Sequence, residues 1–331
     1  MVDDQDWMDR AIEVAATARL RASPNPWVGC VVVAADGTAY EGATEPPGSR
    51  HAEIVALQSA AGAARGATLY STLEPCCHVG RTGPCTEAII ASGVARVVIG
   101  LVDPDPAVSG HGVARLRAAG VDVVVGVGAD RCAEQLRAYL HHRRTGRPFV
   151  VLKLATTLDG RIAAPDGSSQ WITSAEARLA VHRLRAESDA ILVGAGTVRA
   201  DDPELTVRHV DGPDPRRIVL GTAPPGARVH PCTEWLGPLP ELLDTLGRDG
   251  VLQLMVEGGP TVAASFHRDR LIDRYVLHLA PAVFGGDDAR PAFAGTGAAT
   301  VADLWRGHIV SVRHLGPDLE VVLEPFDRSR P

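Results

Sequence analysis

Apolar positions in the first part of the chain fall into two alternating rhythms, a spacing of three and four and short unbroken runs. The first rhythm predicts helices over residues 6–20, 51–64 and 130–142. The runs predict strands over 28–35, 67–73, 96–102 and 121–125. Asp36 and Gly37 form the turn that closes the first strand. In the second helix Ile54, Leu57 and Ala61 share an apolar face, and Gly62 and Gly66 mark its end. A further helix opens at Pro84 and Cys85 and stops at Gly93. Helices alternating with strands predict an α/β fold in which helices are layered on a sheet.

The rhythm breaks at Arg143, Arg144, Thr145, Gly146, Arg147 and Pro148, a basic run that reads as a solvated connector. A boundary there divides the chain into domains 1–147 and 148–331. The second domain opens with an apolar strand over 149–155 and continues with strands over 190–193, 217–220 and 251–256. Gly258, Gly259 and Pro260 lie between the last of these and a helix over 261–267. Glycine there lets a ligand approach the backbone, and the helix start can hold phosphate oxygens; a tight turn is the alternative. Gly194, Ala195 and Gly196 lack the third glycine of a dinucleotide fingerprint.

With 331 residues, 45% hydrophobic and 22% charged, the chain can fill two cores. A formal charge of −7 argues against nucleic acid or an anionic membrane as partner. No apolar run approaches bilayer length, and the acidic opening lacks signal-peptide character, so a cytoplasmic location is expected. Six cysteines are too few for a disulfide scaffold. Cys30, Cys132 and Cys232 are expected to be reduced, Cys30 as a packing residue inside a strand. Lys153 is the only lysine in the chain.

The candidate chemistry centres on His51, Glu53, Cys76 and Cys85. In zinc nucleobase deaminases a histidine and two cysteines hold the metal, and a glutamate two residues after the histidine moves protons without touching zinc. His51, Cys76 and Cys85 would hold Zn2+, leaving a fourth position for water that the metal acidifies. Glu53 would carry protons between that water, the ring nitrogen and the departing amine. Cys85 at a helix start faces free N–H groups that favour its thiolate. The eight residues between Cys76 and Cys85 exceed the usual two, and Cys77 can compete with Cys76 as ligand. Buried packing cysteines and a chance HAE triplet are the plain alternative.

These residues, with SPNPWVG at 23–29 and TLEPCCHVGRTGPC at 72–85, closely resemble the deaminase half of the bifunctional riboflavin biosynthesis protein family. The reductase half is matched by KLATTLDGRI at 153–162, SQWIT at 169–173, GTVRADDP at 196–203 and EGGPT at 257–261, so the resemblance covers nearly the entire chain. It implies a cytidine-deaminase-like domain followed by a dihydrofolate-reductase-like domain. It also implies zinc and NADPH as cofactors, a small pyrimidine nucleotide as substrate, and a homo-oligomer. The implied reactions are hydrolytic deamination of 2,5-diamino-6-ribosylamino-4(3H)-pyrimidinone 5′-phosphate and reduction of its ribosyl side chain to ribityl.

Residue by residue, the resemblance gives Asn25, His78 and Arg81 to the deaminase substrate; Asn25 suits a pyrimidine edge and Arg81 a phosphate. It gives Lys153 a catalytic role in the reductase, and places the cofactor on Ala155, Trp171, Thr197 and Asp201. The run Gly259, Pro260, Thr261, Val262, Ala263, Ala264 and Ser265 would also touch the cofactor. The second substrate would meet Ser169, Arg185, Leu205, Arg208 and Glu257, the arginines binding its phosphate. Plainer readings stand beside these. Asn25 is a turn residue between prolines, His78 an exposed loop residue, Thr173 with Glu176 a capping box, Trp171 core packing, and Arg185 a solvated helix face.

Three departures from the family pattern are visible. Gly83 replaces a commoner proline and Cys77 a commoner serine. Only about thirty residues separate the strand at 217–220 from that at 251–256, where relatives often carry a longer insertion with an added strand, so the cofactor's adenosine end is expected to bind differently. Loss of the reductase alone, a nucleic-acid base deaminase, and a catalytically silent binding protein are the other readings.

Overall fold

The computed structural model describes residues 2–78 and 83–326, which divide into two compact units, 1–146 and 147–331. Unit 1 runs α1 (Asp4–Ala16), β1 (Gly29–Val33), β2 (Ala39–Ala43), α2 (Ala52–Ala60), β3 (Thr68–Ser71), α3 (Cys85–Ser92), β4 (Arg96–Ile99), α4 (His111–Ala118), β5 (Asp122–Val125) and α5 (Ala129–Thr145). Its sheet has the order β2-β1-β3-β4-β5, with β1 antiparallel to both neighbours and β3, β4 and β5 parallel. Met8, Ala11, Ile12 and Cys132 bring α1 and α5 against Val31, Tyr70 and Val98 on one face. On the other, α2 closes on β2 so tightly that a Cβ on Gly42 would stand 2.3 Å from the Ala52 carbonyl oxygen.

Several expectations change at the boundaries. The helix expected over 51–64 ends at Ala60 and is followed by a single 3-10 turn, Ala61–Ala64; His51 stands just ahead of the helix as its extended N-cap. The strand β2 and the helix α4 were not in the pattern. β2 is only five residues with Glu41 at its centre and Gly42 next to it, and α4 opens on Gly110, His111 and Gly112. Arg143, Arg144 and Thr145 are the last turn of α5, which Gly146 ends in the left-handed region. Cations suit that negative helix end. Arg143 also stacks on the Tyr139 ring and pairs with Asp105 at 3.2 Å, so the basic run is not a solvated connector.

Unit 2 runs β6 (Phe149–Thr157), β7 (Arg161–Ala163), α6 (Ala175–Ala186), β8 (Ala190–Gly194), α7 (Ala195–Asp201), β9 (Arg216–Leu220), β10 (Thr233–Trp235) and α8 (Leu239–Arg248). It continues with β11 (Gln253–Val256), α9 (Pro260–Arg268), β12 (Arg274–Ala280), β13 (Arg290–Pro291), β14 (Gly307–Leu315) and β15 (Asp318–Pro325). Eight strands form one sheet, β10-β9-β8-β11-β6-β12-β15-β14, parallel except for the two antiparallel pairings at the β15 and β14 end; β7 and β13 form a separate pair.

Alternation along β6 sends Val150, Leu152 and Leu154 into a core with Leu242, Leu246 and Phe266 of α8 and α9. Lys153 and Ala155 consequently face the opposite side, where Val181 of α6 and Val198 of α7 pack on Ile191, Val193 and Met255. The short segment between β9 and β11 does hold a strand: β10 pairs in parallel with β9, and the strongly amphipathic α8 follows it. The Thr173 capping box is also corrected. Ser174 is the N-cap of α6, its Oγ accepting the Ala177 N–H at 3.2 Å. Among the described residues no helix is long and apolar enough to cross a membrane.

Candidate active sites

In unit 1 the start of β1 and the ends of β2 and β3 meet at one edge of the sheet, because β1 runs antiparallel to both. Thr72 Oγ1 accepts the Gly29 N–H there at 3.2 Å. The chain after β3 is pinned by the buried Glu74 carboxylate, which accepts N–H bonds from Asp103, Gly110 and Val113 at 3.0–3.2 Å. Cys76 lies two residues beyond this anchor, and the Thr86 N–H donates to its carbonyl at 3.1 Å. Cys85 opens α3 and His51 precedes α2.

His51 Nδ1 stands 3.5 Å from Cys76 Sγ and 3.3 Å from Cys85 Sγ, and the three donor atoms lie within 4.8 Å of one another. Bonds of about 2.3 Å to sulfur and about 2.0 Å to nitrogen place tetrahedral zinc donors roughly 3.5–3.8 Å apart, so the residues fit the ion. Hydrogen bonds from Cys85 and His51 lower the Cys76 thiol to about 4, a thiolate ready to ligate. The neighbouring Cys76 and burial push the Cys85 thiol up. Glu53 is 4% exposed, and burial followed by the charge of Cys76 raises its carboxyl to about 7. Cys30, buried on β1 within the field of Glu53, packs as expected, its thiol pushed up by burial.

Asn25 is half-buried in the turn that leads into β1, its N–H donating to the Ala22 carbonyl at 2.8 Å. His78 is exposed on the loop after Cys76. The Cys77 thiol contacts the Ala107 carbonyl and is not among the three converging donors. Arg81 lies outside the described residues.

Unit 2 holds a cavity of about 1160 Å³ at the carboxyl ends of β6, β8, β9 and β11. This is where open parallel sheets bind ligands. Lys153, Ala155, Ser169, Trp171, Arg185, Thr197, Asp201, Leu205, Arg208 and Glu257 all line it, with Gly259, Pro260, Thr261 and Val262. Ala263, Ala264 and Ser265 do not: Ala263 is buried in the core, and the Ser265 hydroxyl donates back to the Thr261 carbonyl. A Cβ on Gly258 would come within 2.4 Å of Val262 Cβ, so glycine is required for the turn from β11 into α9.

The charges at the cavity floor interlock. Arg185 grips Glu257 through two N–H···O bonds of 2.8 and 2.7 Å, with both side chains only 12–13% exposed. This rules out a solvated helix face for Arg185. Burial favours the neutral Glu257, but Arg185 and Lys153 outweigh it and hold the carboxyl below its ordinary value. Burial lowers the Lys153 ammonium, with Glu257 opposing. Trp171 is 68% exposed beneath the Arg178 guanidinium, 4.5 Å from its ring centroid, and is not core packing. The cavity also takes in His182, Gly221, Thr222 and Arg290, which no motif signalled. Gly221 and Thr222 follow the parallel strand β9, His182 lies on the facing helix α6, and Arg290 lies on β13.

Residues 1–101 match the cytidine and deoxycytidylate deaminase zinc-binding region, and 148–321 match the RibD C-terminal domain. The chain is 43% identical to riboflavin biosynthesis protein RibD of Mycobacterium tuberculosis, covering 94% of each. It is 38% identical to that of Escherichia coli, covering 96% of this chain and 98% of the relative. The structure of Acinetobacter baumannii RibD superposes with a TM-score of 0.92 at 36% identity, covering 98% of this chain and 99% of that one. A Thermotoga maritima structure described as a diaminohydroxyphosphoribosylaminopyrimidine deaminase/5-amino-6-(5-phosphoribosylamino)uracil reductase gives 0.90 at 35% identity, covering 97% and 98%. With a zinc-binding deaminase region at one end and an NADPH-dependent reductase domain at the other, the chain belongs to the RibD family of bifunctional riboflavin biosynthesis enzymes.

Proposed function

We propose that domain 1–147 deaminates 2,5-diamino-6-ribosylamino-4(3H)-pyrimidinone 5′-phosphate and that domain 148–331 reduces the ribosyl side chain of the product to ribityl. The observation that carries this reading is the convergence of His51, Cys76 and Cys85 beside a buried carboxyl group, Glu53. Zinc held by these three side chains supplies a Lewis acid that makes water acidic near neutral pH. Glu53 takes a proton from water and delivers it to the ring nitrogen, and a second transfer releases the amine as ammonia. Asn25 holds the pyrimidine edge, with His78 and Arg81 as further substrate contacts.

In the second domain NADPH supplies hydride. Opening of the ribosylamine ring breaks the bond between C1′ and the ring oxygen and moves the N–H proton to that oxygen, leaving a C1′=N imine; hydride added to C1′ and a proton returned to the nitrogen then give the ribityl amine, a net gain of two hydrogens. Lys153 faces this chemistry as the proton donor, its ammonium held between burial and Glu257. Ala155, Trp171, Thr197, Asp201 and the 259–262 turn form the cofactor wall. Ser169, Arg185, Leu205, Arg208 and Glu257 form the substrate wall.

The diaminopyrimidine nucleotide supplied with and without NADPH, with products identified by mass, tests both steps. The expected result is exchange of one amino group for oxygen without cofactor, and further gain of two hydrogens with it. No mass change in either arm would refute the reading. The same reading places the enzyme in the cytoplasm, where its thiolates stay reduced, and as a homo-oligomer. β14 supports the latter: it is a nine-residue sheet edge with Ile309 and Val312 exposed. An unpaired edge of that kind invites a second strand. Sedimentation at the mass of one chain would count against it.

A further inference from the structure

We propose that His182 is a positioning residue of the reductase site: it holds the backbone of the loop that carries Arg208 and so fixes where that guanidinium meets the substrate's phosphate. His182 sits on α6, three residues before Arg185, 6% exposed and on the wall of the same cavity. Its Nδ1 accepts the Arg208 backbone N–H at 3.0 Å. An imidazole accepts only through an unprotonated nitrogen, so the ring is neutral with its proton on Nε2.

The loop over 204–209 has neither helix nor strand to hold it. Leu205 and His209 take φ values of 57° and 67°, the left-handed region that side chains disfavour, so surrounding contacts must hold the backbone there. Helix α6 provides two of them. Arg185 Nη1 donates to the Thr206 carbonyl at 3.2 Å, and His182 accepts from Arg208 two residues later. The His182 ring also meets the His209 ring edge-on, 5.2 Å between centroids. The loop is thereby gripped on a carbonyl, an amide and a ring from one helix face. Arg208 then reaches Glu204 Oε2 at 2.9 Å and Thr206 Oγ1 at 3.0 Å, leaving its guanidinium half-exposed toward the cavity.

The inference rests on the reading of Arg208 as a phosphate contact, and the experiment separates the two. The variants His182→Asn, His182→Gln and Arg208→Ala are assayed in the full chain with the deaminated nucleotide and with its dephosphorylated nucleoside, alongside direct NADPH binding by fluorescence. Asparagine keeps an acceptor near Nδ1, whereas glutamine moves its amide out to the position of Nε2. Loss of one aimed hydrogen bond should raise KM for the nucleotide about tenfold in His182→Gln, with kcat within about twofold. His182→Asn should stay within about threefold of the parent. KM for the nucleoside and NADPH affinity should hold in both.

Equal effects of Asn and Gln, an equal rise with the nucleoside, no change in KM, or loss of NADPH binding in either His182 variant would overturn the proposal. If Arg208→Ala leaves the preference for nucleotide over nucleoside intact, the phosphate reading itself fails, whatever the His182 variants do.

Discussion

Burial of Glu53, followed by the charge of the Cys76 thiolate, raises this carboxyl group to about 7, where an exposed glutamate would stay ionised. Replacing Glu53 by Gln keeps the volume and removes the proton carrier. Deamination should fall about 10²–10⁴-fold while metal content measured by atomic emission stays at one zinc per chain. Zinc loss in that variant would show Glu53 to be part of the cage instead. Cys76→Ser should do the reverse, emptying the site and abolishing deamination, because the thiolate rather than a hydroxyl ligates. His182 gives a prediction of a different kind. Burial, then the charges of Arg185, Arg208 and His209, lowers its imidazolium to about 4, with Glu257 opposing. The unfolded chain therefore binds this proton from about pH 6.5 downward and the folded chain does not, so stability falls as pH drops from about 6.5 to about 4. Urea unfolding across that window should show a steeper loss for the parent than for His182→Asn; parallel slopes would discard the assignment.

Segments with a continuous apolar run or a clear start and stop were readable in advance: α3, β1, β3 and β6 stand within a few residues of their expected places. The face expected for α2 was not, since Ala61 lies exposed beyond the helix and α2 buries Ala52, Glu53, Ala56, Leu57 and Ala60. Elements that depend on neighbours were not. β2 has Glu41 and Gly42 at its centre and forms because β1 pairs with it and α2 lies across it. β10 is three residues long and exists by pairing with β9. The three converging donors His51, Cys76 and Cys85 were legible because an imidazole and two thiols in this order are unusual side chains suited to a metal. Gly221, Thr222 and His182 gave no sign, being placed by strand ends and a facing helix and not by a motif. The contact of α2 with β2 is itself testable. Gly42→Val would force α2 away, since an added Cβ meets Ala52 and Ala56 backbone at 2.3 and 2.4 Å. Overpacking of this kind costs about 1–3 kcal/mol. Because His51 and Glu53 ride on the start of that helix, zinc affinity should drop along with urea stability. An unchanged zinc affinity would mean that the helix start is held by the loop and not by the sheet.

Among the described residues, the three converging donors His51, Cys76 and Cys85 share no side chain with the lining of the unit 2 cavity. The three converging donors fall within 51–85, and the cavity of unit 2 is lined by residues between Lys153 and Arg290. Each unit has its own sheet, its own buried core and its own charged groups. A change that silences one set of residues therefore leaves the other set's burial, hydrogen bonds and charge pairs in place. Glu53→Gln given the diamino substrate and NADPH should accumulate neither product. The same protein given the deaminated nucleotide should oxidise NADPH within about twofold of the parent rate, since sites that share no partners behave additively. Lys153→Met should show the mirror image: deamination preserved, the deaminated nucleotide accumulating, and NADPH oxidation reduced by about 10²-fold or more for loss of a proton donor. Both variants mixed in one tube should restore the ribityl product only through intermediate released into solution. Its yield should then fall as a trap for the free deaminated nucleotide is added. Restoration that resists the trap would require transfer between chains held together.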